Sequence, residues 1–242
     1  MSPGDEFPRP RKLIPVTILL FLVTGGCGGA RVAPGVFATA HDTGTPPRHL
    51  GLLFPQVEAG AAGRVGAWPG GRAFMASEVA AVVHVRMLEE MERRCAPDWK
   101  DLAAEKKAKE RMALLSSVIH RDWSLSGQIT VRLAGELGRA SGQDACLLVS
   151  VTRFGPSPSK LELKSLSGVI KPGTTGETAA SWINCGVKLV VFRTPGGQVL
   201  WEAGGLASLP VTGPGPDGVG TTQEAAVARV VADLMRAFPW PK

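Results

Sequence analysis

Apolar residues recur along the chain with two different periods, and the points where the period changes mark its elements. Met75, Val79, Val83, Met87 and Met91 fall four apart with Val82 beside them, which predicts an amphipathic helix over residues 74–94, ended by Pro97. A second helix is predicted over residues 101–120, polar in its first half and apolar at Met112, Leu115 and Ile119. Ile129, Leu133 and Leu137 place a third at 127–140, with Ser141-Gly142 as its C-terminal stop. A last helix, 222–238, carries Val227, Val230, Val231, Leu234 and Phe238 on one face, with Thr221 or Thr222 as cap and Glu224 in its first turn.

Elsewhere the pattern is that of strands. Residues 146–154 form a nearly continuous β-rich apolar run, the signature of a central strand covered on both faces. Residues 186–193 and 198–203 flank Pro195-Gly196-Gly197 and predict a hairpin, whose second strand extends toward Val211. A first strand is expected in the apolar run 50–57, before a Gly-rich connection. Leu161, Leu163 and Leu166 alternate only briefly before a loop at 171–176. Together these elements predict an α/β (α+β) fold, a single domain with a mixed sheet of about four or five strands packed by helices. Its expected core includes Val79, Val83, Leu133, Leu137, Leu148, Val149, Val190, Val230 and Leu234.

The N-terminal part follows neither period. Arg9, Arg11 and Lys12 precede an uncharged run of 11 residues, Leu13 to Val23, and then Thr24-Gly25-Gly26. This is the grammar of an export signal. As a helix the run spans only about 16 Å, roughly half of a bilayer's hydrocarbon core, so it is too short for a permanent transmembrane helix. Val23-Thr24-Gly25-Gly26-Cys27 resembles the lipobox of bacterial lipoproteins, with Thr24 where Leu is usual. The resemblance implies a signal peptide at 1–26 and lipidation of Cys27 by diacylglycerol and an N-acyl chain of palmitate type. More than one buried chain gives stable anchoring. Residues 27–49, rich in Gly, Ala, Pro and Thr, are expected to form a flexible tether, leaving 50–242 as the periplasmic domain. Gly28 rather than Asp follows the cysteine, which by likeness to enteric lipoproteins implies the outer membrane, facing the periplasm.

Composition bears on partners. Removing residues 1–26 of 242 leaves 216, and takes away three of 27 basic and two of 21 acidic residues, so the mature chain carries +5. In an exported protein that excess points to anionic headgroups or cell-wall polymers rather than to nucleic acid. The basic cluster Lys100, Lys106, Lys107, Lys109 and Arg111 is interleaved with Glu105 and Glu110 and reads mainly as a solvated helix face. With Cys27 lipidated, Cys95, Cys146 and Cys185 remain and permit at most one intramolecular disulfide. If one forms, Cys146–Cys185 is the expected pair, provided their two strands run parallel. No C-x-x-C or Cys/His spacing suggests a metal, and none is expected.

Catalytic patterns are few. Gly213, Gly215 and Gly218 fit G-x-G-x-x-G, yet Pro214 and Pro216 remove amide donors that a pyrophosphate would need. Ser157-Pro-Ser-Lys160 fits the S-x-x-K of penicillin-recognising enzymes, but follows a strand and lacks S-D-N and K-T-G partners. His84, flanked by apolar residues, reads as a structural histidine, and His120 as a cation near a helix C-terminus. The six tryptophans are dispersed, which suits packing better than a carbohydrate platform. No cofactor is expected.

The passage Leu137-Gly138 through Asp144-Ala145-Cys146-Leu147-Leu148-Val149, and the later Gly196-Gly197-Gln198-Val199-Leu200-Trp201 before a closing helix, resemble phrases of a group of small periplasmic domains. That group comprises the curli-secretion lipoprotein CsgG, the penicillin-binding-protein activator LpoB and the amino-terminal domain of TolB. Gly51-Leu52-Leu53-Phe54-Pro55 echoes their first strand, and no long alternating segment matches the membrane-spanning hairpin of the curli protein. The likeness implies a non-enzymatic adaptor or assembly factor with a protein partner in the cell envelope. A periplasmic serine hydrolase or cell-wall-modifying enzyme, built on Ser157 or His84, is the alternative.

Overall fold

A computed structural model describes residues 35–42, 45–58, 61, 76–104, 109–157, 160–163, 170–172, 182–211 and 216–242. The expected signal peptide and Cys27 lie outside the described residues. At the centre stands β5 (Ala145–Ser157), the longest strand, flanked antiparallel by β8 (Trp182–Arg193). β8 pairs with β9 (Val199–Pro210) through the expected turn, where Gly197 has φ +68° and its N–H bonds the Arg193 carbonyl at 2.9 Å. β1 (Val36–Ala40) closes that side, antiparallel to β9. On the other flank β2 (His49–Leu52) and the short β3 (Gln56–Val57) both run parallel to β5, and β4 (Asp98–Asp101) lies parallel to β2 at the edge. The result is a mixed seven-stranded sheet in one domain, with β6 (Leu161–Leu163) and β7 (Ile170–Pro172) forming a separate two-stranded ribbon.

Side-chain alternation along β5 and β8 divides the core. Ala145, Leu147, Val149, Val151, Val187, Leu189 and Val191 point to one face, beneath α1 (Ala76–Arg94) and α4 (Pro216–Arg236). Cys146, Leu148, Val190 and Phe192 point to the other, beneath α2 (Lys109–Ser126) and α3 (Val131–Ser141). A strand buried on both faces must be apolar at every position, which explains the continuous run seen in the sequence. Of the expected core only Leu133 is half-buried, and the other eight residues are buried. α3 stops at Gly142, in the left-handed region at φ 72°.

Four expectations are corrected. The tether does not reach residue 49: Val36–Ala40 is a strand, with Val36 and Ala38 packed on the first core, so the domain includes part of 27–49. Residues 98–101 form edge strand β4 and 102–104 a single 3₁₀ turn, so the second helix starts at Lys109 and runs on to Ser126. The sheet is wider than four or five strands because β1, β3 and β4 add to it. Cys146 and Cys185 cannot bridge: β5 and β8 are antiparallel, Cys146 lies opposite Phe192 and Cys185 opposite Phe154, and the two thiols face different cores. All three described cysteines are free, and burial pushes those of Cys95 and Cys185 up to about 12 and Cys146 higher still. They are protonated and inert at neutral pH.

Candidate functional site

The parallel strands β2 and β4 end side by side, and side chains converge beyond their carboxyl ends. Asp144 sets the register: its carboxylate accepts from the amides of Arg48 at 3.0 Å and His49 at 2.9 Å, fixing the start of β2 against β5. β2 then delivers Leu53 into the second core and Phe54 to the surface, where it is 40% exposed. Crevices at such strand ends are the usual binding places of open α/β sheets.

Here the crevice is an apolar pocket of about 300 Å³ lined by Leu53, Phe54, Leu102, Ala103, Met112, Ala113 and Ser116. The Phe54 ring lies 5.0 Å from that of His84 on α1. His84 Nε2–H donates to Asp101 Oδ2 at 3.1 Å, tying α1 to the end of β4. His84 Nδ1 and Ser116 Oγ are buried and have no hydrogen-bond partner among the described residues. On the outer face of α2, Leu114 is 66% and Leu125 82% exposed; they are eleven residues apart and so on the same side of the helix, with half-buried Val118 and exposed Arg121 between them. Such a surface is suited to receiving an apolar group, because water leaves it at a gain and few polar groups need matching.

A second, more polar depression of about 370 Å³ lies between Gln56–Glu58 and the α2 residues His120, Arg121, Ser124 and Leu125. His120 is not near a helix end, as its sequence position suggested, but within α2, buried, with Nε2–H donating to the Val149 carbonyl at 2.8 Å and Ser150 Oγ at 3.4 Å. Burial lowers its pKa below 6.5 and the Val149 hydrogen bond opposes this. Burial likewise raises Glu58 above 4.5, opposed by Lys188. Lys188 stands 4.9 Å over the Trp123 ring and 3.6 Å from Glu202.

The other candidates are scattered. Ser157 ends β5 opposite Trp182, half-buried, and Lys160 is exposed beyond it, so this pair is not carried on one helical turn. Gly218 lies inside α4, which starts at Pro216, while 213–215 lie outside the described residues. Lys100 is exposed on β4 and Arg111 on α2; Lys106 and Lys107 fall outside the described residues. Among the described residues no group of three or more His, Cys, Asp or Glu could hold a metal, and no helix is long and apolar enough to cross a membrane. Sequence reading missed the pocket because its walls come from three separate segments; the one local sign was Phe54, a large apolar residue just past a strand and before Pro55.

No protein-family model matches the chain, and no curated protein matches it. Among solved structures, the PelC dodecamer from Paraburkholderia phytofirmans is 12% identical, covering 84% of this chain and 98% of that one at a TM-score of 0.39. The hypothetical protein CT253 from Chlamydia trachomatis is 10% identical over 77% of this chain and 95% of that one, at 0.46. Lipoprotein GNA1162 from Neisseria meningitidis is 13% identical over 76% and 98%, at 0.35. These are distant likenesses of chain path, and no function is carried across from them.

Proposed function

We propose that the chain is a lipoprotein of the bacterial cell envelope, cleaved after residue 26, anchored through Cys27 in the outer membrane and facing the periplasm, and that it works as a non-enzymatic adaptor or assembly factor. The observation that supports docking to a protein partner is the apolar pocket at the ends of β2 and β4, bordered by exposed Phe54. An apolar side chain of the partner fits there as an anchor residue fits a hot spot. The lipobox-like Val23–Cys27 supports the anchor.

Two measurements test this reading. Palmitate labelling in cells is expected to be lost in Cys27→Ser; labelling that survives rejects the anchor. A photoreactive residue replacing Leu114 is expected to cross-link one envelope protein, and Ala113→Arg, which fills the pocket with a charge, is expected to abolish that product. Labelling of the pure protein by a fluorophosphonate, removed by Ser157→Ala or His84→Ala, would favour the hydrolase instead.

A further inference from the structure

Pairing of β1 with β9 fixes where the chain leaves the sheet toward Cys27. Gly35, just ahead of β1, accepts a hydrogen bond from Leu206 N–H at 2.9 Å, beside the last turns of β9. Only eight residue steps separate Cys27 from Gly35. Fully extended, eight steps reach about 28 Å at most. A membrane holding the lipid of Cys27 is therefore never farther than that from Gly35, four residues along β9 from the end that the strand shares with β5 and β8.

That end carries a groove of about 460 Å³, and Gly35 is part of its wall. Lys160 and Arg229 supply two cations, both exposed, and half-buried Trp182, paired with Pro210 in the sheet, lines the same groove. Arg229 lies 3.9 Å from Asp233, with its side chain still 64% exposed and able to turn outward. The floor is held by Ser208, which hydrogen-bonds Asn184 and accepts from Leu161 N–H at 3.2 Å. Cations beside a tryptophan are the residue types that settle at a membrane–water interface, the ring at headgroup depth and the charges on phosphate.

We infer that this groove is a phospholipid-headgroup site, by which the domain lies with the end of its β5–β8–β9 sheet against the bilayer that holds its own anchor. The inference rests on lipidation of Cys27. Its direct consequence is orientation: Leu52 pairs with Leu147, ten residues before β5 ends at Ser157 beside Trp182, so the apolar pocket beyond β2 and β4 stands roughly 30 Å along β5 from the membrane-facing end.

The test has two arms. The chain from Gly28 onward, without lipid, is floated with vesicles of phosphatidylglycerol or phosphatidylcholine. A basic residue at an anionic surface contributes about 1 kcal/mol, so Lys160→Gln with Arg229→Gln should weaken partition to phosphatidylglycerol about 25-fold. In the second arm the full lipidated protein is reconstituted in vesicles whose lipids carry bromine near the headgroup. Tryptophan emission should be quenched, and Trp182→Phe should remove the larger part of that quenching. Unchanged partition of the double variant, or quenching unaltered by Trp182→Phe, overturns the site. The mass of the Cys27 peptide decides the anchor separately, since the first arm reads the groove with or without acylation. Variants with an unchanged thermal midpoint are the ones compared.

Discussion

The two faces of the sheet are built differently. Under α1 and α4 lies the larger apolar core, from Leu50 and Leu147 across to Trp201, whose ring meets Phe238 edge-on at 5.5 Å. Under α2 and α3 the apolar core is smaller and shares its surface with buried His120 and Ser150 and with Lys188, and both the apolar pocket and the His120 depression open beside it. The first face is the larger and more closed core, although the groove at Arg229 borders its α4; the second is the more open. The contrast shows how a strand buried on both sides can still serve surfaces of unequal chemistry.

The contrast is most severely tested by Trp201→Ala, which empties the closed face and should cost about 3–5 kcal/mol in denaturant unfolding. Leu148→Ala, on the open face, should cost about 2–4 kcal/mol. A loss under about 0.5 kcal/mol for both Leu148→Ala and Val190→Ala would show that the second core does not pack as described. Gly204→Ala places a methyl against the Phe37 ring, so that ring must give up its packing over β9. About 1–3 kcal/mol should be lost, proteolysis near residue 37 should speed up, and adding Phe37→Ala should relieve part of the cost.

Ala113→Arg should change stability by no more than about 0.5 kcal/mol, since its site is at the surface, while removing the partner cross-link.

Acid should act mainly through the open face. His120 is lowered in the folded state, so the unfolded chain binds more protons; stability is complete above 6.5 and falls as pH drops below it toward the lower folded value. Glu58, raised by burial, has the opposite slope above 4.5, losing its contribution as pH rises. His120→Gln, which cannot titrate, should flatten the decline below 6.5 in a series of denaturant midpoints.

Much of the architecture was legible from spacing alone. The stripe Val79, Val83, Met87, Met91 gave α1, and the run 146–154 gave a strand covered on both faces, because both signals arise within one element and its burial. Edge strands were not legible. In the four-residue β4, Asp98 and Lys100 point to solvent and Trp99 is the lone large apolar residue, so no strand pattern shows, and Asp101 reads as the polar start of the next helix. β1 lies in a Gly- and Thr-rich stretch and is a strand because it pairs with residues 201–205, far along the chain.

The same division holds for the site. The residues 23–27 that resemble a lipobox are contiguous, so sequence alone could suggest export and anchoring. Which strands are antiparallel, and hence that Cys146 and Cys185 face opposite cores, was decided by tertiary pairing. So was the gathering of Phe54, Leu102, Met112 and Ser116 into one pocket, and of Gly35, Lys160, Trp182 and Arg229 into one groove. Local periodicity records which side of an element is dry; only packing brings distant surfaces together, since the energy that joins them comes from area buried between elements and not within any one of them.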